Sequence, residues 1–311
     1  MELSPKEKDL LRQLAKDWWL APEHQWEFVR RDEQVETFLR RREKYGLRGF
    51  GATKRFRRDT TKSDELTSLD VADIRSVGFK DGTIEDGVYG AMSPTTEVFR
   101  TKSVYVDDKI EECNVLALID NVTDADPFTS LTIRWRSYDH IYLEATGFTT
   151  LSNGDRVSYQ LLHSIDFPHL TPPLATHSRG QVAAILFMRQ VDKDTVQFTD
   201  AECSPFRSSE RSCINIFYAA QMKKLRWRFV SEGKKVLTQK TPTVRKGYNC
   251  MLCGEFVCKS CRVSHKIADI GPDNKLYWAK AIVCPFCMTQ VIKSDTSITM
   301  RSEIAAGEYP G

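Results

Sequence analysis

The sequence predicts an α+β protein in which an antiparallel sheet, closed by a long C-terminal helix, precedes a small zinc module. Three observations predict this fold. Between residues 74 and 200, short apolar runs are separated by turn signals, without the alternating strands and helices of a parallel sheet. One helical pattern follows, from Ser212 to Ser231. Three Cys-x-x-Cys pairs then fall within about forty residues, at a spacing typical of zinc sites.

Length and composition suit about two domains, since the chain has 311 residues and 41% hydrophobic content. The N-terminus is charged and has no apolar signal segment, so we expect an intracellular, cytoplasmic protein. In a reducing compartment, paired cysteines indicate metal rather than disulfides. Cys113, Cys203 and Cys213 stand alone and are interpreted as core thiols.

Residues 1–68 are predicted to form N-terminal helices and a basic connection that belong with the first domain. Ser4, Pro5 and Glu7 form a capping box that starts one helix. A second helix is expected from Asp32 to Gly46. The net charge of +3 is small and the basic run Lys54–Arg58 is short, so the sequence argues against nucleic acid as a partner.

Residues 69–235 contain the sheet and its long helix. A first hairpin is expected around the Asp81-Gly82 turn, with 77–79 and 88–90 as strands, and a helix is expected to begin at Ser93-Pro94. The clearest hairpin signal is Asn153-Gly154, which predicts a two-residue type I′ turn. The remaining predicted strands are residues 115–119, 131–135, 141–151, 156–165, 181–190 and 195–200.

The helix from Ser212 to Ser231 is predicted to bury one apolar face on the sheet. That face consists of Ile214, Phe217, Gln221, Leu225 and Phe229. The other faces are predicted to be largely occupied by Lys223, Lys224, Arg226 and Arg228. If the sheet curls, it leaves a cavity beneath this helix.

Several strings in this region resemble the START-like domains of oomycete proteins. They are Glu85–Gly90, Lys102–Asp108, Leu143–Gly147, Ser152–Arg156 and Tyr218–Trp227. In those proteins a FYVE-like zinc finger often follows the domain, where Cys250–Cys287 falls here. The resemblance implies a helix-grip fold that holds a lipid or sterol. It also implies an anionic membrane surface as a partner, with peripheral association with endosomal or other membranes.

A FYVE finger has four cysteine pairs, of which the second and fourth share one zinc. Residues 236–294 match its last three pairs, so the resemblance implies one closed structural zinc site formed by Cys250, Cys253, Cys284 and Cys287. Cys258 and Cys261 match the third pair, whose partner pair is missing upstream. They are either reduced thiols or, with His265, a partial second site. We therefore expect one zinc ion, or two if the second site forms.

The lipid-headgroup motif of FYVE fingers is reduced here to Arg245-Lys246-Gly247-Tyr248-Asn249, without its histidines. Specific phosphoinositide binding is therefore not expected, whereas attraction to anionic membranes remains an expectation. No nucleophile elbow, H-E-x-x-H or phosphate loop is present, so the sequence indicates no enzyme.

Two functions remain open on the sequence. One is a lipid-binding protein with a structural zinc module. The other is a protein–protein adaptor, without an identified partner, whose START-like core is filled by its own side chains. Residues 295–311 lack a pattern and are expected to be a disordered tail.

Overall fold

The computed structural model describes most of the chain from residue 73 onward. The described residues are 27–32, 35–40, 73–106, 112–137, 139–151, 153–166, 171–172, 174, 179–203, 210–234, 243–244 and 247–309, together with Pro5, Lys6, Lys8, Asp9 and Arg12. In this part of the chain, no helix has the length and hydropathy needed to cross a bilayer.

The first domain is built on a nine-stranded sheet in which every neighbouring pair is antiparallel. Its strands are β1 Glu27–Asp32, β2 Val35–Arg40, β3 Asp73–Asp81, β4 Cys113–Asp120, β5 Ser130–Arg136, β6 His140–Thr150, β7 Arg156–Ser164, β8 Ala183–Asp192 and β9 Thr195–Cys203. Their order in the sheet is β1-β2-β3-β9-β8-β7-β6-β5-β4, so only the β3–β9 pairing joins strands distant in sequence.

Three helices pack on one side of this sheet. They are α1 Ile84–Ala91, α2 Thr96–Val106 and α3 Glu210–Ser231. Ile84 and Phe217 share a buried cluster with Met188 and Phe198 of the sheet. The predicted architecture, an antiparallel sheet gripping a long C-terminal helix, is confirmed.

Several local predictions are also confirmed. The predicted hairpin at Asn153-Gly154 is present and joins β6 to β7, with Thr150 paired to Arg156. Its turn is not the predicted two-residue type I′ turn, because Gly154 has a positive φ of +89° whereas Asn153 does not, and the N–H of Leu151 donates to the carbonyl oxygen of Asp155. The helix predicted after Pro94 is α2. β5 and β6 are joined by a tight hairpin, in which Arg136 pairs with His140.

Two predictions near the start of the domain are wrong. Residues 88–90 lie in α1 rather than in a strand, because Thr83 and Asp86 form a capping box that starts a helix there. Val35–Arg40 is a strand rather than part of a helix, because pairing with β1 and β3 outweighs local helical periodicity. The predicted connection at 46–68 lies outside the described residues, as does most of the first predicted helix.

The helix α3 is buried on more sides than predicted. Phe217, Leu225 and Phe229 are buried as expected, but so are Lys223 and Lys224, which were expected on the outer faces. The reason is that α1 and the C-terminal module cover those faces.

The C-terminal module contains five short strands and two helices. They are β10 Thr243–Val244, β11 Gly247–Asn249, β12 Phe256–Cys258, β13 Val263–Ile270, β14 Leu276–Val283, α4 Pro285–Ile292 and α5 Thr296–Ala305. One buried cluster joins Met222, Leu225 and Phe229 of α3 to Ile267 and Val283 of this module. The module therefore shares a core with α3.

The expected disordered tail is wrong over residues 295–309. Asp295 caps α5 by accepting a hydrogen bond from the backbone N–H of Ile298, which starts the helix. Met300 and Tyr309 are buried with Val88 and Tyr89 of α1, so tertiary packing holds the segment in place.

Candidate metal centre and buried polar cluster

Four of the predicted metal ligands converge at one end of the module. Cys250 and Cys253 lie on the turn after β11, whereas Cys284 caps α4 and Cys287 lies in its first turn. The four Sγ atoms all lie within 4.8 Å of one another, and those of Cys253 and Cys284 are 3.8 Å apart. The two predicted pairs, 31 residues apart in sequence, are thus brought together.

This sulfur geometry fits a zinc ion. Four thiolates at about 2.3 Å around a tetrahedral zinc lie about 3.8 Å from each other. Backbone N–H groups also support the sulfurs, since Cys284 donates to Cys250 Sγ at 3.2 Å and Cys287 donates to Cys284 Sγ at 3.3 Å. Four sulfur donors leave no open position, which suits a structural site rather than a catalytic one.

The thiols of the metal set differ in acidity because their surroundings differ. Burial opposes ionisation of Cys250, but the N–H groups of Cys253, Cys284 and Leu252 outweigh it and lower its pKa to about 7. The pKa of Cys287 is raised, first by burial and then by the neighbouring thiols. A bound divalent cation would favour ionisation of these closely spaced thiols, because its charge neutralises the thiolates.

The residues proposed for a second site do not gather in the same way. Cys258 is partly exposed and Cys261 is exposed, on the turn after β12. His265 lies in β13, with its ring 5.9 Å from that of Tyr218. Within the described residues, the four-cysteine set is the one group of three or more candidate ligands that converges.

Of the cysteines interpreted as core thiols, Cys113 is buried beside Phe99 and Tyr142. The side chains of Cys203 and Cys213 lie outside the described residues.

A second feature, which the sequence analysis missed, is a charged cluster between the sheet and the helices. Arg134 of β5 and Glu144 of β6 form an ion pair in which both side chains are 1% exposed. Lys102 of α2 lies 3.9 Å from the same carboxylate. Gln160 of β7 donates to Glu144 Oε1 at 2.8 Å.

The cations of this cluster also cap the buried C-terminal end of α1. Lys102 donates to the carbonyl oxygen of Ala91, Arg134 to that of Ser93, and Lys223 to that of Tyr89 at 2.7 Å. A buried helix end leaves carbonyl groups without intrahelical partners and carries partial negative charge. These three cations therefore have a structural role, since they satisfy carbonyl groups at the buried end of α1.

The two faces of the sheet differ sharply in polarity along β5–β7. The polar residues of the helix-facing side are Ser130, Thr132, Arg134, Glu144, Thr146, Ser158 and Gln160, although Tyr142, Phe148 and Leu162 lie on the same side. The opposite face contributes Leu131, Ile133, Leu143 and Leu161 to an apolar cluster. Ser93 Oγ is buried at the polar face and has no hydrogen-bond partner among the described atoms. The alternation of polar and apolar residues along these strands could have predicted one polar and one apolar face. It could not have predicted that the polar face is buried.

A hollow of about 510 Å³ lies beside the metal set. Trp227 and Arg228 of α3, Phe286 of α4 and Ile298 of α5 contribute to its wall, together with Cys253 and Cys287. Phe286 and Ile298 are 71% and 65% exposed, which is unusual for large apolar side chains.

Comparisons with known proteins add the following findings. No family model and no curated protein matches the chain. Similar solved structures include human STARD10 (TM-score 0.39, 10% identity, covering 75% of this chain and 85% of that one). Human StAR-related lipid transfer protein 5 has a TM-score of 0.40 and 12% identity, with 71% and 97% covered.

The human StarD13 (DLC2) lipid transfer and protein localization domain has a TM-score of 0.38 and 7% identity, with 70% and 98% covered. The helix-grip assignment for this chain rests on its own strand order and on the position of α3.

Proposed function

We propose that this chain is a non-enzymatic, intracellular START-like protein that binds a lipid between its sheet and α3, with a C-terminal module stabilised by one structural zinc ion. The lipid proposal rests on the polar patch beneath the helices. This patch contains the Arg134–Glu144 ion pair and the hydroxyl of Ser93, which has no hydrogen-bond partner among the described atoms. Ser158 of this patch donates to the carbonyl oxygen of Ile84, whose side chain belongs to the apolar cluster of Met188 and Phe198.

An amphipathic ligand matches this distribution of polarity. Polar groups placed at one end of an enclosed apolar site fix the orientation of a ligand by hydrogen bonding. Burial of an unpaired hydroxyl costs about 1–3 kcal/mol, a cost that a ligand oxygen bound to Ser93 would remove. A lipid or sterol hydroxyl or carbonyl is the group that fits.

The zinc proposal rests on the four converging thiols. The same set supports the proposed intracellular location, because a reducing compartment keeps cysteines available as thiolates. We expect about one zinc per chain in purified protein. Two zinc ions per chain would restore Cys258, Cys261 and His265 as ligands. Protein purified without any zinc would contradict the proposal.

The lipid proposal is tested by mass spectrometry of protein purified without detergent, followed by uptake of a fluorescent sterol and a fluorescent phospholipid. We expect a co-purified lipid and uptake of at least one probe. Ser93→Ala should weaken uptake, whereas Ser158→Ala should not, because the Ser158 hydroxyl already donates to the carbonyl oxygen of Ile84 at 3.0 Å. A protein that is empty and takes up neither probe would contradict lipid binding.

Association with membranes is proposed to depend on apolar contact more than on charge. Phe256, Trp278 and Phe286 of the module are all more than half exposed. Residues 243–309 contain nine Lys/Arg and six Asp/Glu, a net charge of +3. Binding to neutral vesicles should therefore persist, with a modest gain on anionic vesicles, and binding confined to anionic vesicles would contradict this part of the proposal.

A protein–protein adaptor is the second candidate, and the hollow beside the metal set is the observation that favours it. Its volume and its exposed Phe286 suit an apolar side chain of a partner. An adaptor whose sheet–helix core is filled should take up no lipid, and Phe286→Ser should abolish partner binding without changing zinc content.

A further inference from the structure

The turn that carries Cys258 and Cys261 shares one backbone hydrogen bond with the turn of the metal set. The backbone N–H of Arg262 donates to the carbonyl oxygen of Cys258 at 3.1 Å, as that of Gly254 donates to Cys250 at 2.9 Å. The N–H of Cys261 also donates to Cys258 at 3.2 Å. A turn closed in this way brings its first and fourth Cα atoms within about 7 Å, which overlaps the range of disulfides.

The two thiols on this turn are accessible and lie among polar groups. Cys261 is exposed and Cys258 is partly exposed. Ser260 Oγ lies 3.1 Å from Cys258 Sγ and 4.0 Å from Cys261 Sγ. Lys259 lies between the two cysteines in sequence, and Arg262 directly follows them.

The pair is not committed to metal within the described part of the chain. His265 does not converge with the two sulfurs, and the complete four-thiol set lies elsewhere on the module. Two sulfurs alone provide half of the ligands of a tetrahedral zinc.

We propose that Cys258 and Cys261 form a reversible dithiol–disulfide pair that exchanges with small-molecule disulfides of the glutathione type. The Cys258 thiolate attacks one sulfur of the oxidised disulfide, whose S–S bond breaks and releases one small thiolate that takes up a proton. Cys261 then loses its proton to solvent and attacks the Cys258 sulfur. The second small thiol leaves, so the protein dithiol is oxidised and one small disulfide becomes two thiols.

The test uses the full chain with its zinc bound, equilibrated with mixtures of reduced and oxidised glutathione. Free thiols are then alkylated, and the peptide spanning residues 258–261 is analysed by mass spectrometry. We expect an internal disulfide that appears in a single two-electron transition while zinc content stays constant. Alkylation of the reduced pair should be at least about tenfold faster than that of buried Cys113.

Two variants separate the steps of the exchange. Cys261→Ser should stop at a mixed disulfide between Cys258 and glutathione, and Cys258→Ser should abolish the internal disulfide. The proposal is overturned if no disulfide links the two residues at any ratio of glutathiones. It is equally overturned if a second zinc protects the pair from alkylation. Lipid uptake and the first zinc are measured on the same samples, so failure here is distinguishable from failure of the proposed function.

Discussion

Buried Lys224 of α3 forms an ion pair with partly buried Asp86 of α1, with 2.6 Å between Nζ and Oδ1. Lys224 also donates to the carbonyl oxygen of Ser294 at 2.8 Å, in the C-terminal module. Asp86 accepts a hydrogen bond from the hydroxyl of Thr296, the first residue of α5. One ion pair thus connects the first domain, its long helix and the C-terminal segment.

This connection changes the expected consequence of losing the metal. From sequence, the module and the sheet are expected to have separate cores, so that Cys284→Ser unfolds the module alone. The structure shows a cluster shared by α3 and the module. We therefore expect Cys284→Ser to lose zinc and to lower the melting temperature of the whole protein.

Metal analysis and amide hydrogen exchange check this prediction. Protection should decrease in α3 as well as in the module, because Leu225 and Phe229 lose their packing partners. Cys261→Ser is the matched control, since Cys261 lies outside the four-thiol set. Unchanged protection of α3 in a zinc-free Cys284→Ser protein would show that the two cores are independent.

The buried ion pair of Arg134 and Glu144 predicts a large effect of removing one partner. Glu144→Gln leaves Arg134 charged and unpaired beneath the helices, which typically costs about 3–5 kcal/mol of unfolding free energy. Chemical denaturation measures this loss. Arg189→Gln, which breaks the exposed pair with Asp155, is the control and should have a much smaller effect. Equal losses in the two variants would contradict the buried placement of the pair.

The crossing of α1 and α3 predicts that Gly90 cannot be replaced. A Cβ atom at Gly90 would lie 2.0 Å from the carbonyl oxygen of Ile216, a backbone atom that moves only if the helices separate. At Gly87 the corresponding contact is the flexible side chain of Met188, at 2.2 Å. Because both variants gain helix propensity equally, Gly90→Ala should be the more destabilising by about 1–3 kcal/mol. Denaturation of the two variants side by side tests this order.

The buried Lys223 predicts a pH dependence of stability. Burial is the main cause that lowers its pKa from 10.5 to about 7. The carboxylates of Glu303 and Glu144 raise the pKa, whereas the positive charges of Lys102 and Arg226 lower it further. Between pH 7 and 10.5 the unfolded chain binds more protons at this position than the folded chain does. The unfolding free energy should therefore rise with pH in this window.

Denaturation at pH 7, 8 and 9 measures this contribution, below the range in which tyrosines titrate. Lys223→Met removes the titrating group and should remove the rise. An equal rise in the variant would assign the effect to another group.

The sequence by itself determined the features that depend on local order. Cysteine spacing predicted metal-binding pairs, and the resemblance to FYVE fingers implied which four sulfurs would converge. Asn153-Gly154 predicted a hairpin, and the apolar periodicity of α3 predicted the burial of Phe217, Leu225 and Phe229. Spacing and turn chemistry act within a few residues, so one chain segment is enough to reveal them.

Tertiary structure alone decided which polar residues are buried. Arg134, Glu144 and Lys223 resemble solvent-facing residues in sequence, yet all three are buried. Carbonyl groups at the C-terminal end of α1 accept hydrogen bonds from the two cations, and Glu144 pairs with Arg134. The ordered α5 and the strand β2 likewise depend on partners far away in the chain. Burial is a property of the surfaces that meet in the folded protein, and local pattern does not contain that information.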